Sequence, residues 1–69
     1  MAKTERFIKI YGKGTITTNE IWLDTETGVN YFYHTSGYGG GLTPLLDKDG
    51  KPVVYTEAEI LRELKGNGY

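Results

Sequence analysis

His34 is the chain's one histidine and its one side chain that titrates near neutrality, so any acid–base chemistry starts there. Tyr33, Ser36, Tyr38 and Thr43 bring hydroxyls to its neighbourhood, interleaved with Gly37, Gly39, Gly40 and Gly41. A histidine beside a hydroxyl is the raw material of nucleophilic catalysis. The base must then lie within hydrogen-bond reach of the O–H, and a third group must orient the imidazole. Ser36 is two residues from His34, which in an extended strand shares its face at roughly 7 Å, too far for that bond. No Gly-x-Ser-x-Gly elbow is present, and the sequence names no orienting residue. His34 therefore reads as a structural or hydrogen-bonding residue. A small hydrolase using His34 and Ser36 stays as an alternative.

The segment Gly37-Tyr38-Gly39-Gly40-Gly41 invites comparison with phosphate cradles, where unshielded amides turn toward an anion. A Walker loop would end in Gly-Lys-Ser/Thr, but Gly41 is followed by Leu42-Thr43-Pro44. A dinucleotide fingerprint would open a helix, but the residues after Gly41 read as strand. A conformational role is the plain reading. A single tyrosine inside four glycines adds a second: a large ring on bare backbone is placed to meet a ligand or partner. The predicted binding residues are accordingly Tyr33, His34, Ser36, Gly37, Tyr38, Gly39, Gly40, Gly41 and Thr43.

The acidic residues do not extend this set. Asp47-Lys48-Asp49-Gly50 would fit a calcium loop only with Leu45 and Thr56 at ligand positions 1 and 12, so it is a turn. Asp24 and Glu26 belong to another turn, with no second feature for a paired-carboxylate hydrolase. With no Cys and one His, the sequence predicts no metal site and no cofactor. Tyr11, Trp22, Tyr31, Phe32, Tyr33, Tyr38 and Tyr55 could stack bases, but base-stacking sheets carry a basic groove and the third strand has no Lys or Arg. Nine acidic against eight basic residues leave a net charge of −1, which argues against extended nucleic acid and membrane surfaces. A small nucleotide-like ligand held by backbone amides and tyrosine hydroxyls, or a protein partner, remains compatible.

These residues must be positioned by very little chain. Sixty-nine residues close one core, so the whole of 1–69 reads as a single domain, strand-rich over 6–55 with a helix over 56–65. Without disulfide or metal, stability is marginal, which predicts a homo-oligomer, with a dimer favoured. No apolar run follows the first charged residues and none approaches ~18 residues, predicting a cytoplasmic protein.

The run 6–11 reads as the first strand, stopped by Gly12-Lys13-Gly14. A second strand centres on Glu20-Ile21-Trp22-Leu23, with Ile21 and Leu23 on one face and Trp22 on the other. Asp24 to Gly28 is a bulged hairpin turn, returning as a third strand over 29–34. The run 42–46, the Asp47-to-Gly50 turn and the run 52–55 predict a second hairpin. Thr56-Glu57-Ala58-Glu59 is a capping box, Tyr55 and Ile60 form its staple, Ala58, Ile60, Leu61 and Leu64 make an apolar stripe, and Gly66 is placed as the C-terminal cap. The fold class is α+β: a small twisted antiparallel β-sheet or partly open barrel of about five strands, with one short C-terminal helix.

The block from Trp22 through Gly28-Val29-Asn30-Tyr31 to Gly37-Tyr38-Gly39-Gly40-Gly41-Leu42-Thr43-Pro44-Leu45 resembles the DUF6440 family of small proteins from Gram-positive bacteria and their phages. The resemblance spans about Arg6 to Val54 and is carried most specifically by the Gly-Tyr to Thr-Pro half. It implies no catalytic residues, and it leaves the helix as an addition. The expected protein is a non-enzymatic binder, cytoplasmic in a host if phage-encoded. It could act as a counter-defence protein that sequesters a nucleotide-like ligand or blocks a host protein through the glycine-rich loop. A protein–protein adaptor using the C-terminal helix is the other alternative.

Overall fold

Glycine turns separate the strands closely enough that each strand can pair only with the next. The computed structural model, which describes residues 5–66, accordingly forms an antiparallel meander of β1 (Phe7–Gly14), β2 (Thr17–Asp24), β3 (Asn30–Ser36) and β4 (Gly39–Pro44), followed by α1 (Glu57–Gly66). Residues 1–4, on which the absence of a leader was expected, lie outside the described residues.

The sheet is open, with β1 and β4 at its edges, and it has four strands where the sequence predicted about five and allowed a barrel. The missing strand belongs to the predicted second hairpin. Its turn forms as expected: Asp47 Oδ1 accepts from the amides of Asp49 (2.8 Å) and Lys51 (3.0 Å), and Gly50 takes φ +78°. The first arm is strand only over its start, 42–44, within β4, and the second does not become a strand, because prolines remove donors at 44 and 52 and the second arm also bonds to the start of β3. The Asn30 amide donates to Val53 O (2.9 Å), Tyr55 N–H donates to Gly28 O (2.7 Å), and only single bridges, Val29 with Val54 and Leu46 with Pro52, are left. Segment 45–55 is thus a strap across the start of β3.

That strap carries the chain to the helix. The capping box closes as predicted, Thr56 N–H donating to Glu59 Oε1 (2.9 Å) and Glu59 N–H to Thr56 Oγ1 (3.3 Å). Ile60 then joins Ile8 and Leu23 as the buried core, with Ile10, Tyr55 and Leu64 packed against it. The apolar stripe is narrower than the sequence implied, since Ala58 and Leu61 are exposed. Gly66 is the last helical residue instead of a left-handed cap beyond it.

Two buried polar residues fix this end of the sheet. Asp24 accepts from Arg6 Nε and Nη2, both at 3.0 Å, and from the amide of Glu26 at 2.9 Å. Arg6 holds the Asp24 carboxyl well below the usual carboxylate range. Asn30 spans the strap, its Nδ2 reaching Gly28 O and Val53 O at 3.4 and 3.3 Å. Gly28, at φ +83°, lies so close to Tyr55 that a Cβ there would fall 2.2 Å from its carbonyl oxygen. Only glycine fits.

Elsewhere the chain covers little of itself. It measures 36 × 32 × 15 Å and exposes 5312 Å², against about 4,300 Å² for a compact monomer of this mass.

Candidate functional site

The predicted site residues fall on the β3–β4 hairpin, and the pleat divides them. Opposed residues share a face, so the register Asn19↔His34↔Gly41, with Phe32↔Thr43 and Ser36↔Gly39, puts His34, Ser36, Gly39, Gly41 and Thr43 on the face where Leu23 and Ile8 meet the helix. Tyr33 and Gly40 are on the opposite face, and Gly37 and Tyr38 are the turn itself. The structure does not bring the nine together around one cavity.

The glycine segment is also not the loop that the sequence suggested. The Leu45 amide donates to Asn30 O at 2.9 Å, so the ladder alternates from there and pairs Thr43, Gly41 and Gly39 with Phe32, His34 and Ser36. A two-residue turn remains, with Gly37 at φ +60° and Tyr38 at negative φ, the II′ geometry that matches strand twist. Gly39, Gly40 and Gly41 are strand residues, exposed along their length. Tyr38 projects from the tip fully into solvent.

On the helix-side face, His34 Nδ1 donates to Asn19 Oδ1 across the strands at 2.7 Å. Asn19 is the orienting residue the sequence did not name. The pairing register supplies it, and register is invisible before strands are matched. Among the described residues, no hydrogen bond joins His34 to Ser36, so the nucleophile–base contact of a hydrolase is not made.

The opposite face has no helix on it. Phe7, Trp22, Tyr31, Tyr33 and Leu42 lie there, with Lys9 and Glu20 among them. Phe7 and Tyr31 meet edge-on, centroids 6.5 Å apart at 64°, and Arg6 lies 5.1 Å from the Phe7 ring centre. The Trp22 indole N–H donates to Glu20 Oε1 at 2.8 Å, which locks the ring along the strand. Tyr33 leans over Gly40, its hydroxyl 3.0 Å from where a Cβ would stand. Phe7 and Leu42 are about half and three-fifths exposed, respectively 48% and 61%. The sequence singled out Tyr33 alone of this row for the site, because Phe7, Trp22 and Leu42 converge only through the register.

A concavity of about 370 Å³ lies where α1 meets the β2–β3 turn, lined by Thr25, Glu57, Ile60, Leu61 and Leu64. Among the described residues no helix is long and apolar enough to cross a membrane.

Fold and site together define a small α+β domain: an open four-stranded antiparallel sheet, one helix covering one end of one face, and an aromatic row on the other. The family model described as "Family of unknown function (DUF6440)" matches residues 6–55, and the chain belongs to that family. The match ends just before the capping box, so Ile60, which closes the core, lies beyond it. No curated protein and no solved structure matches the chain.

Proposed function

We propose that this protein is a non-enzymatic module that binds another protein through the helix-free face of its sheet. The observation that supports the reading is the row Phe7, Trp22, Tyr31, Tyr33 and Leu42, held on rigid strands and left open to solvent at Phe7 and Leu42. Aromatic residues with few charges between them are the composition of a protein-interface centre. A rigid ring also orders at little entropic cost when it binds. The occupant that fits is an apolar protein surface, with Lys9 and Glu20 available for polar contacts around the rings. A nucleotide-like ligand would call for enclosure, and the glycine segment is an exposed edge strand better suited to something laid along it. A counter-defence role that blocks a host protein would use this same face.

The test is native mass spectrometry of the protein purified from its own host, beside Leu42→Asp and Tyr33→Ser variants that keep the wild-type circular dichroism. A stoichiometric polypeptide retained by the wild type and lost from both variants supports the reading. Equal retention by all three overturns it. Hydrolytic turnover abolished by His34→Ala would establish the hydrolase alternative instead.

A further inference from the structure

The two edges of the sheet are built differently. Edge strands expose unpaired N–H and C=O groups, and proteins that remain single protect them with bulges and charges. The β1 edge has both: the register shifts between Lys9 and Tyr11, and Lys9 and Lys13 flank the bulge. The β4 edge has neither. Its register against β3 runs without a shift from Ser36↔Gly39 to Tyr31↔Pro44, and Gly39–Pro44 contains no charged side chain.

The ladder also shows which groups are free. Since Gly39, Gly41, Thr43 and Leu45 bond inward to β3, the main-chain groups of Gly40, Leu42 and Pro44 point outward. Pro44 occupies an outward position, where its missing N–H costs the sheet nothing. The outward donors of the strand are therefore the amides of Gly40 and Leu42.

We infer that β4 pairs antiparallel with β4 of a second copy of this chain, about a two-fold axis at Gly41, to make one continuous eight-stranded sheet. In this register Gly40 of each copy faces Leu42 of the other. Each outward amide donates to the facing carbonyl, giving four hydrogen bonds and leaving no outward donor of β4 unpaired. Gly41 opposes Gly41 at the close-approach pair, with Cα atoms about 4.5 Å apart. Each exposed Leu42 comes to lie beside the other copy's Gly40, where Tyr33 already leans. A two-fold axis sets the edge against itself, so any charge on it would face its own copy; β4 has none. The pairing uses the main chain of the edge and, of the aromatic row, covers only the flank of Leu42, so it does not depend on the protein-binding reading.

Gly41 supplies the test. A Cβ there meets nothing within 4 Å and its φ is not positive, so the single chain tolerates a side chain at this position. Sedimentation equilibrium at about 100 µM should give twice the 7.7 kDa chain mass for the wild type. Gly41→Lys and Gly41→Glu should each give the single-chain mass with unchanged circular dichroism, and an equimolar mixture of the two should return to the double mass. Hydrogen exchange at the Gly40 and Leu42 amides should be slower in the wild type than in Gly41→Lys by at least tenfold. A wild type that stays monomeric, or variants that dimerise separately as the wild type does, would overturn the inference. Loss of the dimer in both variants without recovery on mixing would overturn the register.

Discussion

The two ends of this sheet are made from the same strands and obey opposite rules. At the end where β1 starts and β2 finishes, Ile8 and Leu23 are fully buried under Ile60, Asp24 and Asn30 are buried with their polar atoms bonded, and Gly28 is pressed against the Tyr55 carbonyl. At the far end, Ser36 through Gly41 are exposed, Tyr38 touches solvent all round, and Gly37, Gly39 and Gly41 have nothing closer than ordinary contact around them. The first end is occupied by interactions that hold the chain together. Apart from Gly14, which is left-handed and pressed against the Thr17 carbonyl, the second has almost none, so the residue choices of its β3–β4 hairpin cost little stability and are free to serve something outside the chain. Stability and candidate function are thus segregated along the strands.

That contrast breaks most sharply at Gly28. Replacing it with Ala forces a side chain onto a left-handed residue and into the Tyr55 carbonyl, so the strap and helix must move; the expected loss is roughly 3 kcal/mol or more, read by urea unfolding. The matching change at the far end, Gly41→Ala, meets open space and should cost under about 0.5 kcal/mol or stabilise slightly.

Leu23→Ala removes a fully buried side chain from a core with few members, and should cost roughly 2–4 kcal/mol in the same measurement. Leu42→Ala, on the exposed edge, should fall within about 0.5 kcal/mol of wild type.

Asp24 brings a pH dependence to the packed end. Its carboxyl is held below its unfolded value, so the unfolded chain binds the proton first and the contribution to stability is full above about pH 4. It declines as pH falls through the lowered native value. Glu59, lowered by the amide and hydroxyl of Thr56, acts in the same sense. Stability should therefore fall steadily from about pH 4 to pH 2, and Asp24→Asn should flatten that slope while lowering the neutral-pH plateau. His34→Ala at the far end should cost under about 0.5 kcal/mol in urea unfolding at neutral pH, its bond to Asn19 being exposed.

The smallest expected effect is at Tyr38. Tyr38→Ser removes a ring that touches nothing in the chain, so the unfolding midpoint should not change. Any loss of partner binding in that variant would then report recognition at the hairpin tip.

Much of this was legible from local chemistry. Asp24 to Gly28 and Asp47 to Gly50 announce turns because an Asp carboxylate can take the next amides and a glycine can take positive φ, and both do. Thr56 and Glu59 announce the helix because their bonds close within one turn. The side-by-side assignment of Ile21, Leu23 and Trp22 follows from the two-residue pleat. The glycine segment misled because glycine is a weak strand former. Its extended state is imposed by β3 alongside, and Tyr33 covers Gly40. The second arm of the second hairpin failed to become a strand for a similar reason: the Asn30 amide and carbonyl, distant in sequence, take up Val53 and Leu45.

By itself, then, the sequence determined where the chain turns, where the helix begins and which side chains alternate, since each is set by contacts within a few residues. Only the tertiary structure decided that Asn19 meets His34, that Phe7, Trp22, Tyr31, Tyr33 and Leu42 form one face, and that β4 is a bare edge beside a protected β1. Those facts depend on strand register, and register is fixed by the burial of Ile8 and Leu23 under Ile60, a contact between residues more than thirty positions apart.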